Sequence, residues 1–197
     1  GELVAMDRSI GALRQGLRDL NISDNTLVWF TSDNGGLPKI KPSTVGDLRG
    51  FKGSLYEGGL RVPSIAEWPS HITKPRVTNF PSVAMDIFPT VAEIVGIPDS
   101  AMQKPQDGLS LKGLFTENWS KRDKPISFSC FGNSALLENN FKLILNGKGK
   151  KKSFELYDLA TDPIEAKNLY ESHSDLAARM TQTLKACNAS IEHSLAG

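Results

Sequence analysis

Hydrophobic positions divide the chain into two textures. Met6, Ile10, Leu13, Leu17 and Leu20 recur at spacings of four and three, which predicts one amphipathic helix at the start of the chain. No Ser, Thr, Asp or Asn precedes that pattern to cap it, as though the chain began inside an element. A turn cluster, Asn21-Ile22-Ser23-Asp24-Asn25, follows. The apolar run Thr26–Thr31 then fits a strand buried on both faces, as in a parallel sheet flanked by helices. Residues 37–60 are rich in Gly, Pro, Lys and Ser and read as a long loop, which calls for a functional reason. Pro63–Trp68 predicts a second strand, ended by Pro69. Val83, Ile87, Val91, Ile94 and Val95 predict a helix stopped by Gly96, with Pro89 demanding a late start or a kink.

Beyond about residue 120 the pattern shortens. Ile126–Cys130, Ser134–Leu137, Phe141–Leu145 and Phe154–Asp158 read as short strands, and Asn139-Asn140 and Asn146-Gly147 supply turns for an antiparallel meander. Leu176, Met180, Leu184, Cys187 and Ile191 predict a terminal helix, with Ser172 and Asp175 spaced as a capping box. The expected organisation is therefore an α/β region over 1–119 and a small antiparallel sheet with its helix over 120–197.

A net charge of +1 gives no field that argues for nucleic acid or a membrane surface, and no apolar run approaches the length of a bilayer crossing. The two cysteines, Cys130 and Cys187, lie outside any metal-ligand spacing and read as free thiols. Lys148, Lys150, Lys151 and Lys152 make a basic turn that is better read as a solvated hairpin tip than as a glycan contact. Asn-x-Ser sequons begin at Asn21, Asn118 and Asn188, the last inside the expected helix, and carry little weight.

The chemistry concentrates in one stretch. A strand delivers Asp33-Asn34 onto Gly35-Gly36, and in open α/β sheets ligands gather beyond the carboxyl ends of strands. A carboxylate beside an amide offers two oxygen ligands to a hard cation, although the tetrapeptide alone is better explained as a plain turn. Lys52 lies between Phe51 and Gly53, where a bare backbone lets an ammonium approach an anion; a solvated loop lysine is the bland alternative. Arg49 is ambiguous in the same way. Glu57 and Arg61, flanking Gly58-Gly59, suit a structural ion pair better than catalysis.

Taken together, Phe30–Gly36, Lys52–Pro63 and Trp68-Pro69 resemble a conserved block of the formylglycine-dependent sulfatases. Met85–Thr90 and Leu156–Leu159, with Asp162-Pro163, Glu165 and Asn168-Leu169, are similar to further family segments in the same order. The arylsulfatases and bacterial polysaccharide sulfatases are nearest in flavour. The resemblance implies the C-terminal part of an alkaline-phosphatase-like α/β fold with a small antiparallel subdomain. It implies Asp33 and Asn34 as calcium ligands, Ca²⁺ being preferred to Mg²⁺, and Lys52 as a catalytic-site contact to the substrate sulfate. The implied substrate is a sulfate ester, foremost of a carbohydrate, and the implied compartment is periplasmic or extracellular.

The family's Cys/Ser-x-Pro-x-Arg motif, source of its formylglycine nucleophile, has no counterpart here, nor does its Asp-Asp calcium pair. His71, His173 and His193 lie in other contexts than the family's active-site histidines. The expectation is a fragment whose nucleophile lies upstream, inactive by itself and prone to self-association through a truncated sheet. The alternative is a non-catalytic remnant that binds anionic glycans; a phosphate-ester hydrolase of the same superfamily is a third reading, opposed by Lys52 and the Glu-Gly-Gly block.

Overall fold

The computed structural model describes residues 1–147 and 152–196. The expected first helix forms as α1 (Glu2–Asp19) and ends at Asn21, which takes a left-handed backbone with φ 57°. Strand β1 (Val28–Thr31) follows, and β2 (Ser64–Glu67) pairs with it from Val28 opposite Glu67 to Thr31 opposite Ser64. That pairing is antiparallel, and all four β1 residues are only half-buried, so the doubly buried parallel strand expected from the apolar run is not what forms. An unbroken apolar run specifies burial potential without specifying partner direction. Arg14 of α1 clamps Glu67 of β2 through a two-pronged bond of 2.6 and 2.7 Å, yet α1 buries none of its residues, and Leu3, Val4, Met6 and Leu13 stay exposed.

Between β1 and β2 the long loop contains one helical turn, α2 (Glu57–Leu60). Downstream, α3 (Ile87–Ile94) starts late, after a 3₁₀ turn over Ala84–Asp86. Pro89 thus falls in the first helical turn, where its missing N–H leaves no bond unmade. Asp86 is the anchor of this segment. Fully buried, it accepts from Val83 N and Leu109 N at 2.9 Å each and receives both guanidinium nitrogens of buried Arg122 at 2.8 Å. Every charged atom of the pair is satisfied, the condition under which a buried ion pair is tolerated.

The expected meander is a four-stranded antiparallel sheet in the order β3 (Ile126–Cys130), β4 (Asn133–Glu138), β5 (Phe141–Asn146) and β6 (Ser153–Asp158). Its strands are covered on both faces. Leu136, Leu143 and Leu156 meet Ala177, Met180 and Leu184 of α4 (Ser174–Ala196). On the other face Ala135, Ile144 and Tyr157 meet Leu55, beside α2. Because side chains alternate along a strand, one sheet can pack a helix behind it and a glycine loop in front.

The Ser172 capping box does not form: that hydroxyl donates to Leu169 O at 3.1 Å, and Ala177 N reaches back to His173 O instead. Cys130 and Cys187 are free thiols. Asn188 spends its side-chain amide on Ser134 Oγ at 3.0 Å. Of the basic turn, Lys152 is exposed and Lys148, Lys150 and Lys151 lie outside the described residues. Among the described residues no helix is long and apolar enough to cross a membrane.

Candidate functional site

Three loops meet at the end of β1, and they are joined by backbone rather than by side chains. Gly35 N donates to Gly59 O at 2.9 Å, Gly58 N to Arg49 O at 2.7 Å, and Lys52 N to Gly36 O at 2.9 Å. These contacts require glycine. A Cβ on Gly35 would collide with the carbonyl oxygen of Gly58, one on Gly58 with that of Gly50, and one on Gly59 with that of Ser54. The Asp33-Asn34 turn and the Lys52 loop are therefore held in one fixed relation.

Asp33 is exposed and Asn34 half-buried. Asn34 Nδ2 donates to Asp33 Oδ1 at 3.1 Å, and Ser32 Oγ donates to Asn34 O at 2.9 Å, which fixes the turn. Asn34 Oδ1 and Asp33 Oδ2 remain for a cation. This donor set is all oxygen, with no sulfur or imidazole, and so fits a hard divalent ion such as Ca²⁺ as a partial shell. Among the described residues no group of three His, Cys, Asp or Glu side chains gathers as a complete metal site. Lys52 is exposed and forms no ion pair among the described residues, so its ammonium is available to an anion.

Behind these loops lies a buried charge cluster that sequence reading did not anticipate. Lys142 of β5, fully buried, places Nζ 2.7 Å from Glu57 Oε1 and 2.6 Å from Glu165 Oε1, while Glu165 Oε2 accepts from Glu57 N at 2.7 Å. Glu57 thus pairs with Lys142, not with Arg61 as its sequence spacing suggested. Burial pushes the Glu165 carboxyl up, against the pull of the Lys142 ammonium. Glu165 also takes φ 58°, a left-handed backbone rare for a non-glycine residue and a mark of local strain. The sequence held one signal: Lys142 interrupts an otherwise apolar strand, Phe141-Lys142-Leu143-Ile144-Leu145, at a position facing Leu55's side of the sheet.

Arg49 resolves as a clamp. Its guanidinium donates to Tyr157 Oη at 2.7 Å, Glu165 O at 3.0 Å and Tyr56 Oη at 3.1 Å, and lies 3.9 Å over the Tyr56 ring. Tyr56 and Tyr157 both donate to Glu155, at 2.9 and 2.6 Å. Burial, then that carboxylate, pushes both phenols up, so they stay protonated donors. A separate cleft of about 260 Å³, lined by Trp68, His71, Lys112 and Phe115 among others, includes none of Asp33, Asn34 or Lys52. His71 stacks on Trp68 there, and the three histidines are exposed outside the site.

Comparison with known proteins gives the family. The sulfatase family model matches residues 1–97, and the model described as N-sulphoglucosamine sulphohydrolase, C-terminal, matches residues 50–190. The chain belongs to the sulfatase family. It is 32% identical to a sulfatase of Formosa agariphila over 92% of this chain and 37% of that protein. It is 26% identical to the N-acetylgalactosamine-6-O-sulfatase of Bacteroides thetaiotaomicron, over 93% of this chain and 40% of the relative. A solved Bacteroides thetaiotaomicron structure, described under the metabolism of multiple glycosaminoglycans, superposes with TM-score 0.82 at 25% identity, over 93% of this chain and 43% of the other. The fold is the alkaline-phosphatase-like α/β fold of these proteins, and the chain spans about two fifths of the length of the relatives it matches.

Proposed function

We propose that this chain supplies the cation-binding turn and one sulfate contact of a sulfatase that hydrolyses sulfate esters of carbohydrates. The observation that carries the reading is the glycine lock, which joins the Asp33-Asn34 turn and the Lys52 loop into one surface within the family-matched region. Asp33 and Asn34 would hold Ca²⁺ through their side-chain oxygens. When bound, such an ion acts as a Lewis acid on sulfate oxygens. Lys52 binds the sulfate group and offsets charge that builds on its oxygens as the S–O bond to the sugar breaks. The buried Lys142 cluster and Arg49 keep that loop in place while the substrate exchanges. The nucleophile belongs to a segment outside this chain, the formylglycine of the family to which it belongs. Carbohydrate as the substrate class is supported by the N-acetylgalactosamine-6-O-sulfatase and the glycosaminoglycan-metabolism structure among its relatives.

Calorimetric titration of the chain with CaCl₂ and with sodium sulfate tests the assignment. Asp33→Ala should abolish the calcium heat, and Lys52→Ala should abolish the sulfate heat with calcium binding intact. The reading frame upstream should encode Cys/Ser-x-Pro-x-Arg and an Asp-Asp pair. Finding neither motif, with sulfated-glycan binding retained, would favour a binding remnant over an enzyme.

A further inference from the structure

The β3–β4 hairpin turns on Phe131-Gly132, both with positive φ, 50° and 81°. Glycine adopts that region without cost, but a bulky residue there is an outlier. Phe131 gains no packing in return, because it is 84% exposed. The two-residue hairpin loop itself asks for positive φ at both positions, but Asn, Asp or Gly meets that demand more cheaply, so the fold gives no reason for an exposed aromatic there. Its location supplies one. The ring's Cε2 lies 3.4 Å from where a Cβ on Gly53 would sit, and the neighbouring Cys130 thiol contacts Gly53 O at 3.8 Å. Gly53 follows Lys52 directly, so the ring stands against the loop that carries the sulfate-binding lysine, on the side the glycine leaves bare.

We propose that Phe131 is a platform for the sugar ring whose sulfate Lys52 holds. This rests on the function proposed above and adds a specificity-determining residue to it. A pyranose has an apolar C–H face as well as hydroxyls. Phenylalanine has no hydrogen-bonding group, so it can offer only its π-face to that apolar side. Lys52 then reads the anion and Phe131 reads what the anion is attached to. Inorganic sulfate can use the first contact alone.

The test compares sodium sulfate with galactose 6-sulfate in calcium buffer, by titrating backbone amide shifts of the intact chain. The wild-type chain should bind the sugar sulfate about fivefold to tenfold more tightly than inorganic sulfate. Phe131→Gly should erase that preference while keeping the sulfate affinity and losing no thermal stability, since glycine relieves the positive φ. Phe131→Tyr should keep the preference. If Phe131→Gly does not fold, Phe131→Asn, which tolerates the left-handed region without an aromatic ring, takes its place. A preference that survives loss of the ring, or a wild-type chain that binds both ligands equally, overturns the platform. A wild-type chain that binds neither ligand overturns the Lys52 assignment, and the platform falls with it.

Discussion

Replacing Lys142 by methionine removes a buried ammonium and keeps most of its volume, so the change isolates charge. Glu57 and Glu165 then face each other, with Glu165 fully buried. Breaking a buried pair by deleting one partner costs about 3–5 kcal/mol. That range applies only while both orphaned carboxyls are ionised, and the cost falls at low pH, where they can take up a proton. The direction follows from Glu165. Burial already raises its folded-state pKa above the ordinary 4.5, and Lys142 opposes that rise. Without Lys142 the rise grows. A raised carboxyl favours the folded state below its unfolded pKa and loses that advantage as pH climbs through the folded value. The deficit of Lys142→Met should therefore be small near pH 4 and largest near neutrality. At pH 7.5 a loss of about 3 kcal/mol corresponds to roughly 10 °C in Tm for a chain of this size. Urea unfolding followed by tryptophan fluorescence at both pH values measures it, and amide exchange at Gly35, Lys52 and Gly58 reports whether the lock loosens first. Equal deficits at the two pH values, or a loss below about 1 kcal/mol at neutrality, would refute the argument.

Gly35→Ala should destabilise the fold by about 1–3 kcal/mol or more, because the new methyl meets backbone rather than a flexible side chain, and should weaken calcium binding measured by calorimetry. The carboxylate of half-buried Asp162 accepts from Ala166 N at 3.1 Å and Lys167 N at 2.8 Å, and these backbone donors, Lys167 first, hold its pKa below the ordinary 3.8. Such a group stabilises above its unfolded pKa and stops doing so as pH falls through the folded one. Acid titration of stability should accordingly show a shallower fall below pH ~4 in Asp162→Asn than in the wild-type chain.

Much of the fold was legible because its periodicities were clean. The 3.6-residue repeat of α1 and α4, the late start forced by Pro89, and the short alternating strands with the Asn139-Asn140 turn all appear where the pattern places them. The direction of β1 was not legible. Val28, Trp29 and Phe30 state that the strand is apolar, and only the neighbour Ser64–Glu67 decides that pairing is antiparallel. At the site, Asp33, Asn34 and Lys52 were visible as residue types on glycine loops, but their proximity was not. It depends on Gly35 reaching Gly59 and Lys52 reaching Gly36, bonds between main-chain atoms that leave no chemical trace in residue identity. The Lys142 cluster was hidden for another reason. Its three members stand at 57, 142 and 165, and no local window contains two of them.

The lock at the end of β1 also shapes which substitutions this protein can accept. A contact made by side chains can be weakened by degrees, since a methylene at a time can be added or lost. Contacts between glycine backbones have no intermediate settings: Gly35, Gly58 and Gly59 each admit one residue, and failure at any one displaces the turn and the lysine loop together. The exposed positions 37–43, by contrast, contribute no bond to that lock and tolerate far more change. A saturation library across 33–60 should therefore divide into two populations, silent positions and forbidden ones, with few graded effects between them. New substrate preferences would arise by rewriting the loop's rim while its glycine hinge-pins stay untouched.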